Sequence, residues 1–285
     1  MKERIVSACV ITVLFMGLAV FSYNKWGLCV FLALISAISL GEVLFATKYI
    51  ESKFLMLISI LFAVSIPVSI TLFPDFKSTT AITAIFVFAL ILFLSLIIAH
   101  KTFKLEHLSV VFIMSIIIPF FLSTIIYMRR MEFGIYYLIA VFMASWGTDT
   151  GGYVFGKMFG RNKMSPQISP KKTWEGAIGG AISTAVLLLS LAFAAQTFEG
   201  TQVNYVTLSI FAVVGSIAAI LGDLSASLIK RNFGVKDFGS VIPGHGGIMD
   251  RFDSVLFVAP MLFLIINLTT KIYELTGLQC GIFPY

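Results

Sequence analysis

Cysteine and histidine are scarce in this sequence, three of each in 285 residues. Charged residues, at 12%, are about half as frequent as in a soluble domain. Cys9, Cys29 and Cys280 form no CxxC pair and have no histidine at ligand spacing, so neither a zinc site nor a disulfide framework is suggested. Cys9 and Cys29 read as small apolar residues inside hydrophobic runs. No stretch is long and polar enough to make a separate soluble domain.

What the sequence has in quantity is apolar surface. Hydrophobic residues make up 59% of it and its mean hydropathy is +1.00. That places the chain among membrane proteins before any motif is read. The formal net charge of +6 sits in short loops beside apolar runs, where orientation and lipid headgroups account for it. No basic groove interleaved with aromatics is visible, so nucleic acid is not an expected partner and the bilayer is.

A spanning helix needs about 20 mostly apolar residues. By that rule the chain is an all-α, polytopic transmembrane helix bundle of about nine spans, near 4–23, 27–46, 54–73, 80–99, 107–127, 133–155, 176–195, 205–229 and 253–273. Met1-Lys2-Glu3-Arg4 and the apolar run after it resemble a signal peptide. The run lacks a convincing small-residue cleavage site, so it is read as a retained first span. The expectation is one membrane-embedded domain over 1–285, with N-terminal spans in 1–130 and the chemistry in 131–285.

Two connections are long, Gly156–Glu175 and Lys230–Phe252. Counted on alternate sides of the nine spans, 15 Lys and Arg fall with the N-terminus and both long loops, and 5 fall opposite. This bias puts the N-terminus and both loops in the cytoplasm and the C-terminus outside, in a cell inner (cytoplasmic) membrane.

Ionisable residues within spans are costly and mark function. The first five spans hold few acids. Glu42 is the main exception, as either a snorkelling or helix-paired carboxylate or a functional one. The acids of interest, Asp149, Asp223, Asp237, Asp250 and Asp253, lie in the C-terminal half. Asp223, Ser227 and Lys230 share a helix face, and so do Asp250 and Asp253. Capping of a helix start is the plainer account of Asp250 and Asp253, but not of Asp223, lodged inside a span. Carboxylates converging where two cytoplasmic loops meet suggest Mg²⁺, which takes a few carboxylates plus substrate phosphate oxygens.

His100 and His107 flank a cytoplasmic loop and read as solvated, whereas His245 lies among glycines that let backbone approach a ligand. In the first long loop Ser169 is expected to cap a helix with Pro170 in its first turn. Lys171 and Lys172 would then sit at a phosphate-binding N-terminus, or serve only as positive-inside anchors. Gly151–Lys157 has P-loop spacing, but Met158 stands where Ser or Thr is required. Gly152, Gly156 and Gly160 instead suggest close backbone packing or a flexible exit.

The stretch from Ser227 to Asp253 resembles the signature of the phosphatidate cytidylyltransferase family. It runs through Ser227-Leu228-Ile229-Lys230-Arg231, Lys236-Asp237 and Ile242-Pro243-Gly244-His245-Gly246-Gly247-Ile248-Met249-Asp250-Arg251-Phe252-Asp253. Asp149, the Ser169–Lys172 loop and Gly222-Asp223 extend the likeness over about 140–260. The resemblance implies a membrane-embedded nucleotidyltransferase of phospholipid biosynthesis, joining CTP to phosphatidate with Mg²⁺. It implies Asp223, Asp250 and Asp253 as metal ligands and Asp223, Asp250, Lys172 and Lys230 as the catalytic set. Ser169, Lys171, Ser227, Arg231, Lys236, Asp237, His245, Gly246, Gly247 and Arg251 would bind substrate, and Trp174 or Phe238 would stack on the base or simply pack. A homodimer is compatible with this reading. The rival readings are a CTP-dependent polyprenol or phytol kinase and a cation-coupled transporter. The transporter should show internal repeat symmetry, and none is visible.

Overall fold

A computed structural model of the chain describes residues 23–47, 52–73, 78–101, 103–242 and 246–284. The expected first span, but for its last residue, and the expected substrate contact His245 lie outside the described residues. The described part contains eight long helices: α1 Lys25–Thr47, α2 Lys53–Leu72, α3 Ser78–Ile98, α4 Leu105–Arg129, α5 Gly134–Phe159, α6 Trp174–Glu199, α7 Tyr205–Asn232 and α8 Met249–Thr276. Each falls within a few residues of an expected span. Pro67, Pro119 and Pro260 sit inside α2, α4 and α8, a placement that apolar spanning helices tolerate.

Seven of the eight are long and apolar enough to cross a membrane, which makes the chain a multi-pass membrane protein. The eighth, α5, falls short because Gly147-Thr148-Asp149-Thr150-Gly151-Gly152 interrupts its apolar run. Among the described residues the count is therefore seven, against the eight expected for this part of the chain.

Between α5 and α6 the chain forms a small antiparallel hairpin, β1 Lys163–Ser165 paired with β2 Ser169–Thr173, with Lys163 opposite Thr173. This corrects the expectation that Ser169 caps α6 with Pro170 in its first turn. Ser169 and Pro170 are strand residues, and the cap is Thr173, whose hydroxyl accepts from the Gly176 amide at 3.1 Å. Pairing with β1 engages the backbone of Ser169 in the hairpin, so helix formation waits four residues. Glu175 fastens the hairpin base by accepting from the Arg161 and Asn162 amides.

The described residues divide into two compact units. The first comprises the described residues up to Ile126 together with those of Asn232–Arg251. Its helices pack through apolar contacts, such as the Phe62 and Phe88 rings stacked 4.2 Å apart between α2 and α3. The second comprises Tyr127–Arg231 and the chain from Phe252 onward. Here α5 and α6 pack backbone to backbone. A Cβ at Gly176 would overlap the Gly152 carbonyl, and one at Gly180 would overlap that of Thr148. Gly152 and Gly156 thus lie against α6 at close range while Gly160 is the residue that ends α5, and the P-loop-like segment lies within helix α5.

Candidate active site: a carboxylate and lysine cluster

In the second unit the residues with the most chemistry gather around α7. Lys172 projects from β2 and places its Nζ 2.5 Å from Oδ2 of Asp223. Exposure falls toward the end of β2: Pro170 and Lys171 are exposed, Lys172 is half-buried and Thr173 is buried. One turn along α7, the Ser227 hydroxyl donates to Asp223 Oδ1 at 3.5 Å. Lys230 is only 8% exposed despite its charge. The shared face of Asp223 and Ser227 is thus realised in the fold.

Asp253 comes from the first turns of α8 and is 7% exposed. It interacts electrostatically with Asp223, Asp149 and Lys230. Gly222 permits this approach, because a Cβ there would overlap the Asp253 carbonyl oxygen. Ser254 links the acids: its hydroxyl donates to Asp149 Oδ2 at 2.9 Å, and its amide donates to Asp253 Oδ1 at 2.7 Å. Three carboxylates and two ammonium groups are therefore neighbours, with Asp253 and Lys230 buried, Lys172 and Asp223 half-buried and Asp149 exposed. Bringing like charges together is costly unless further positive charge arrives. Among the described residues, no three His, Cys, Asp or Glu side chains are arranged to cage a metal ion by themselves.

The first unit holds the other half of the motif. Asp250, at the start of α8, accepts through Oδ2 from the amides of Phe238 and Gly247, each at 2.9 Å. This ties Phe238 and Gly247 to the first turn of α8, and Ile242 donates its amide to the Gly246 carbonyl. Gly246 has φ +80, a left-handed conformation that suits glycine. The Glu42 carboxylate receives the Ile248 amide on Oε1 at 3.0 Å and the Met249 amide on Oε2 at 2.9 Å.

Of the expected site residues, the structure gathers Lys172, Asp223, Ser227, Lys230 and Asp253 in the second unit. Ser169 is half-buried on β2, and Lys171 and Arg231 are exposed in that unit. Lys236, Asp237, Gly246, Gly247, Asp250 and Arg251 belong to the first unit. Phe238 is buried and packs, whereas Trp174 stays 58% exposed at the hairpin base. Sequence reasoning left Asp149 and Glu42 without roles and passed over Ser254. An acid inside a span is the signal that flags the first two; a buried serine carries none.

Comparison with known proteins gives the same direction. Over 133 residues the chain is 44% identical to the phosphatidate cytidylyltransferase of Staphylococcus haemolyticus, covering 47% of this chain and 50% of that protein. Proteins of the same name from Staphylococcus saprophyticus and Staphylococcus aureus are 43% and 44% identical over 141 and 140 residues. Those alignments take in 50% and 49% of this chain and 52% of each relative. The chain thus spans about half the length of the curated relatives it matches. The model of the cytidylyltransferase family matches residues 2–269, nearly the whole sequence, and the chain belongs to that family.

Proposed function

We propose that the protein is a phosphatidate cytidylyltransferase, which converts CTP and phosphatidate into CDP-diacylglycerol and pyrophosphate. The observation that carries this is the Lys172–Asp223 pair set beside Asp149, Asp253 and Lys230 on apolar helices. The printed names of the relatives agree with it. In the reaction a phosphate oxygen of phosphatidate attacks the α-phosphorus of CTP. A new P–O bond forms, the bond to the bridging oxygen breaks, and pyrophosphate leaves with that electron pair. The nucleophile is already anionic, so no strong general base is required. The obstacle is repulsion between two polyanions.

The chain's own residues answer that obstacle. Lys172 and Lys230 supply fixed positive charge to the phosphates, and the half-buried Ser227 hydroxyl supplies a hydrogen bond. The donor set also fits Mg²⁺, because three clustered carboxylates against two lysines leave a net negative charge. A divalent ion that completes its shell with phosphate oxygens would balance it. Asp223 and Asp253 would hold that ion, with Asp250 the third carboxylate that the family resemblance assigns to it. When bound, it would polarise the α-phosphoryl group and neutralise the leaving pyrophosphate.

The finer topology belongs to the same proposal: nine spans in a cell inner membrane, with the N-terminus, the hairpin and the segment before α8 on the cytoplasmic side. CTP then arrives from the cytosol while the acyl chains stay in the bilayer. The test is purified protein in lipid nanodiscs supplied with CTP, Mg²⁺ and phosphatidate. CDP-lipid and pyrophosphate should form in equal amounts. Formation of a lipid phosphate with CDP would mark a kinase, and no CTP turnover with any lipid would overturn the reading.

A further inference from the structure

Glu42 plays no part in the chemistry above, yet few carboxylates in the described structure are so completely engaged. It sits on α1, within a helix apolar enough to cross a membrane, and is only 8% exposed. Burying an acid there is costly unless its oxygens are satisfied. Both are: Oε1 takes the Ile248 amide and Oε2 takes the Met249 amide, from a segment more than two hundred residues away. These amides belong to the first turn of α8 and the residue before it, groups that have no acceptor within the helix.

The packing around the carboxylate is equally specific. A Cβ at Gly239 or at Gly247 would overlap its oxygens, so two glycines of the segment before α8 leave room for it. Gly247 also donates its amide to Asp250 Oδ2. Glu42 and Asp250 therefore grip one short stretch, Gly247-Ile248-Met249, from two directions. Asp253 follows Asp250 by three residues on the same helix.

We propose that Glu42 is a positioning residue: its carboxylate caps α8 and fixes the Gly246–Gly247 turn and the helical turn that presents Asp250. This rests on the proposed cytidylyltransferase reaction for its catalytic consequence, though not for the clamp itself. A carboxylate suits the task because both of its atoms accept, while a carboxamide would turn an NH₂ toward one of the two amides.

The test compares wild-type full-length protein with Glu42→Gln in nanodiscs, using two readouts. Hydrogen exchange followed by mass spectrometry reads the amides of 246–252, with peptides of α2 as an internal reference. Losing a charge-assisted cap should speed exchange at Ile248 and Met249 by about tenfold or more, leaving α2 unchanged. Steady-state kinetics with CTP, phosphatidate and Mg²⁺ should show kcat reduced about tenfold or more, with KM for CTP changed by less than about threefold. Should Glu42→Gln fail to insert, Glu42→Asp is read by the same two measurements, since it keeps the charge and withdraws it by one methylene. Unchanged exchange at 246–252 overturns the clamp. Faster exchange with unchanged kcat overturns the positioning role. If wild type forms no pyrophosphate, the proposed reaction fails while exchange still decides the clamp.

Discussion

Lys172 on β2 and Asp223 on α7 meet as an ion pair, Nζ to Oδ2 2.5 Å, which ties the hairpin to the helix that carries Ser227 and Lys230. Asp223 in turn accepts from Ser227 and lies in the field of Asp253. Its carboxylate is thus balanced by a lysine, accepts from a hydroxyl and is opposed by a neighbouring acid. Asp223→Asn keeps the shape and an acceptor for Ser227 while removing that charge. Pyrophosphate release should fall about a hundredfold or more, since charge stabilisation at a phosphoryl-transfer ion is worth several kcal/mol. Near-normal turnover across a Mg²⁺ titration would remove Asp223 from the site.

Asp250→Asn separates charge from architecture in the first unit. One amide oxygen suffices to accept from both Phe238 and Gly247, as Oδ2 does in the native protein. Hydrogen exchange at those two amides should therefore stay close to wild type, while turnover falls by an amount comparable to Asp223→Asn. Loss of exchange protection with turnover retained would make Asp250 a loop clasp and nothing more.

The helices and the Asp223 face were legible because they depend on local patterns: apolar runs, and a four-residue interval along one helix. What was not legible depends on long-range pairing. Ser169-Pro170 carries the signature of a helix start, yet the strand at Lys163–Ser165 claims that backbone, and Thr173 takes the cap. The Asp149–Ser254 bond joins residues 105 apart, and Glu42 reaches Ile248 across 206. No periodicity in a single sequence encodes either contact.

The glycine seam between α5 and α6 makes a sharper stability prediction than glycine content alone would allow. A Cβ at Gly152 would meet the Gly176 carbonyl only at ordinary van der Waals distance, 3.5 Å, whereas at Gly180 it would meet backbone, the Thr148 carbonyl, at 2.6 Å. Gly180→Ala should therefore cost about 1–3 kcal/mol by overpacking. Gly152→Ala should be close to neutral. Thermal unfolding in one detergent, with both variants in parallel, reads the contrast; equal midpoints would mean that the seam is looser than the structure shows.

Topology has its own reporter. Gln167 is exposed at the tip of the hairpin. In a background with Cys9, Cys29 and Cys280 replaced by serine, Gln167→Cys should resist an impermeant maleimide in intact cells and react after lysis. Labelling from outside would invert the orientation and leave cytosolic CTP without access.

Lys172 is where the ordinary account, a positive-inside anchor, competes most directly with a catalytic one. An anchor is a count of charges, and Arg161, Lys163 and Lys171 lie close by in the same loop. On that account Lys172→Arg should be silent and Lys172→Gln nearly so. A third account is a plain structural ion pair. Removing Lys172 would then harm mainly by stranding Asp223, and the double variant Lys172→Gln with Asp223→Asn would recover activity. If Lys172 instead meets a substrate phosphate, its compact charge and its reach both matter. Arg, with a planar fork on a different stem, would be a poor replacement. The expected pattern is a loss of kcat of about a hundredfold for Lys172→Gln, with partial rescue by Lys172→Arg and no recovery in the double variant. Lys163→Gln, exposed on β1 and paired opposite Thr173, is the control in the same hairpin and should behave almost like wild type. Pyrophosphate release measured on correctly inserted protein distinguishes the three accounts. Recovery in the double variant would return Lys172 to structure, and equal small effects at 163 and 172 would return it to orientation.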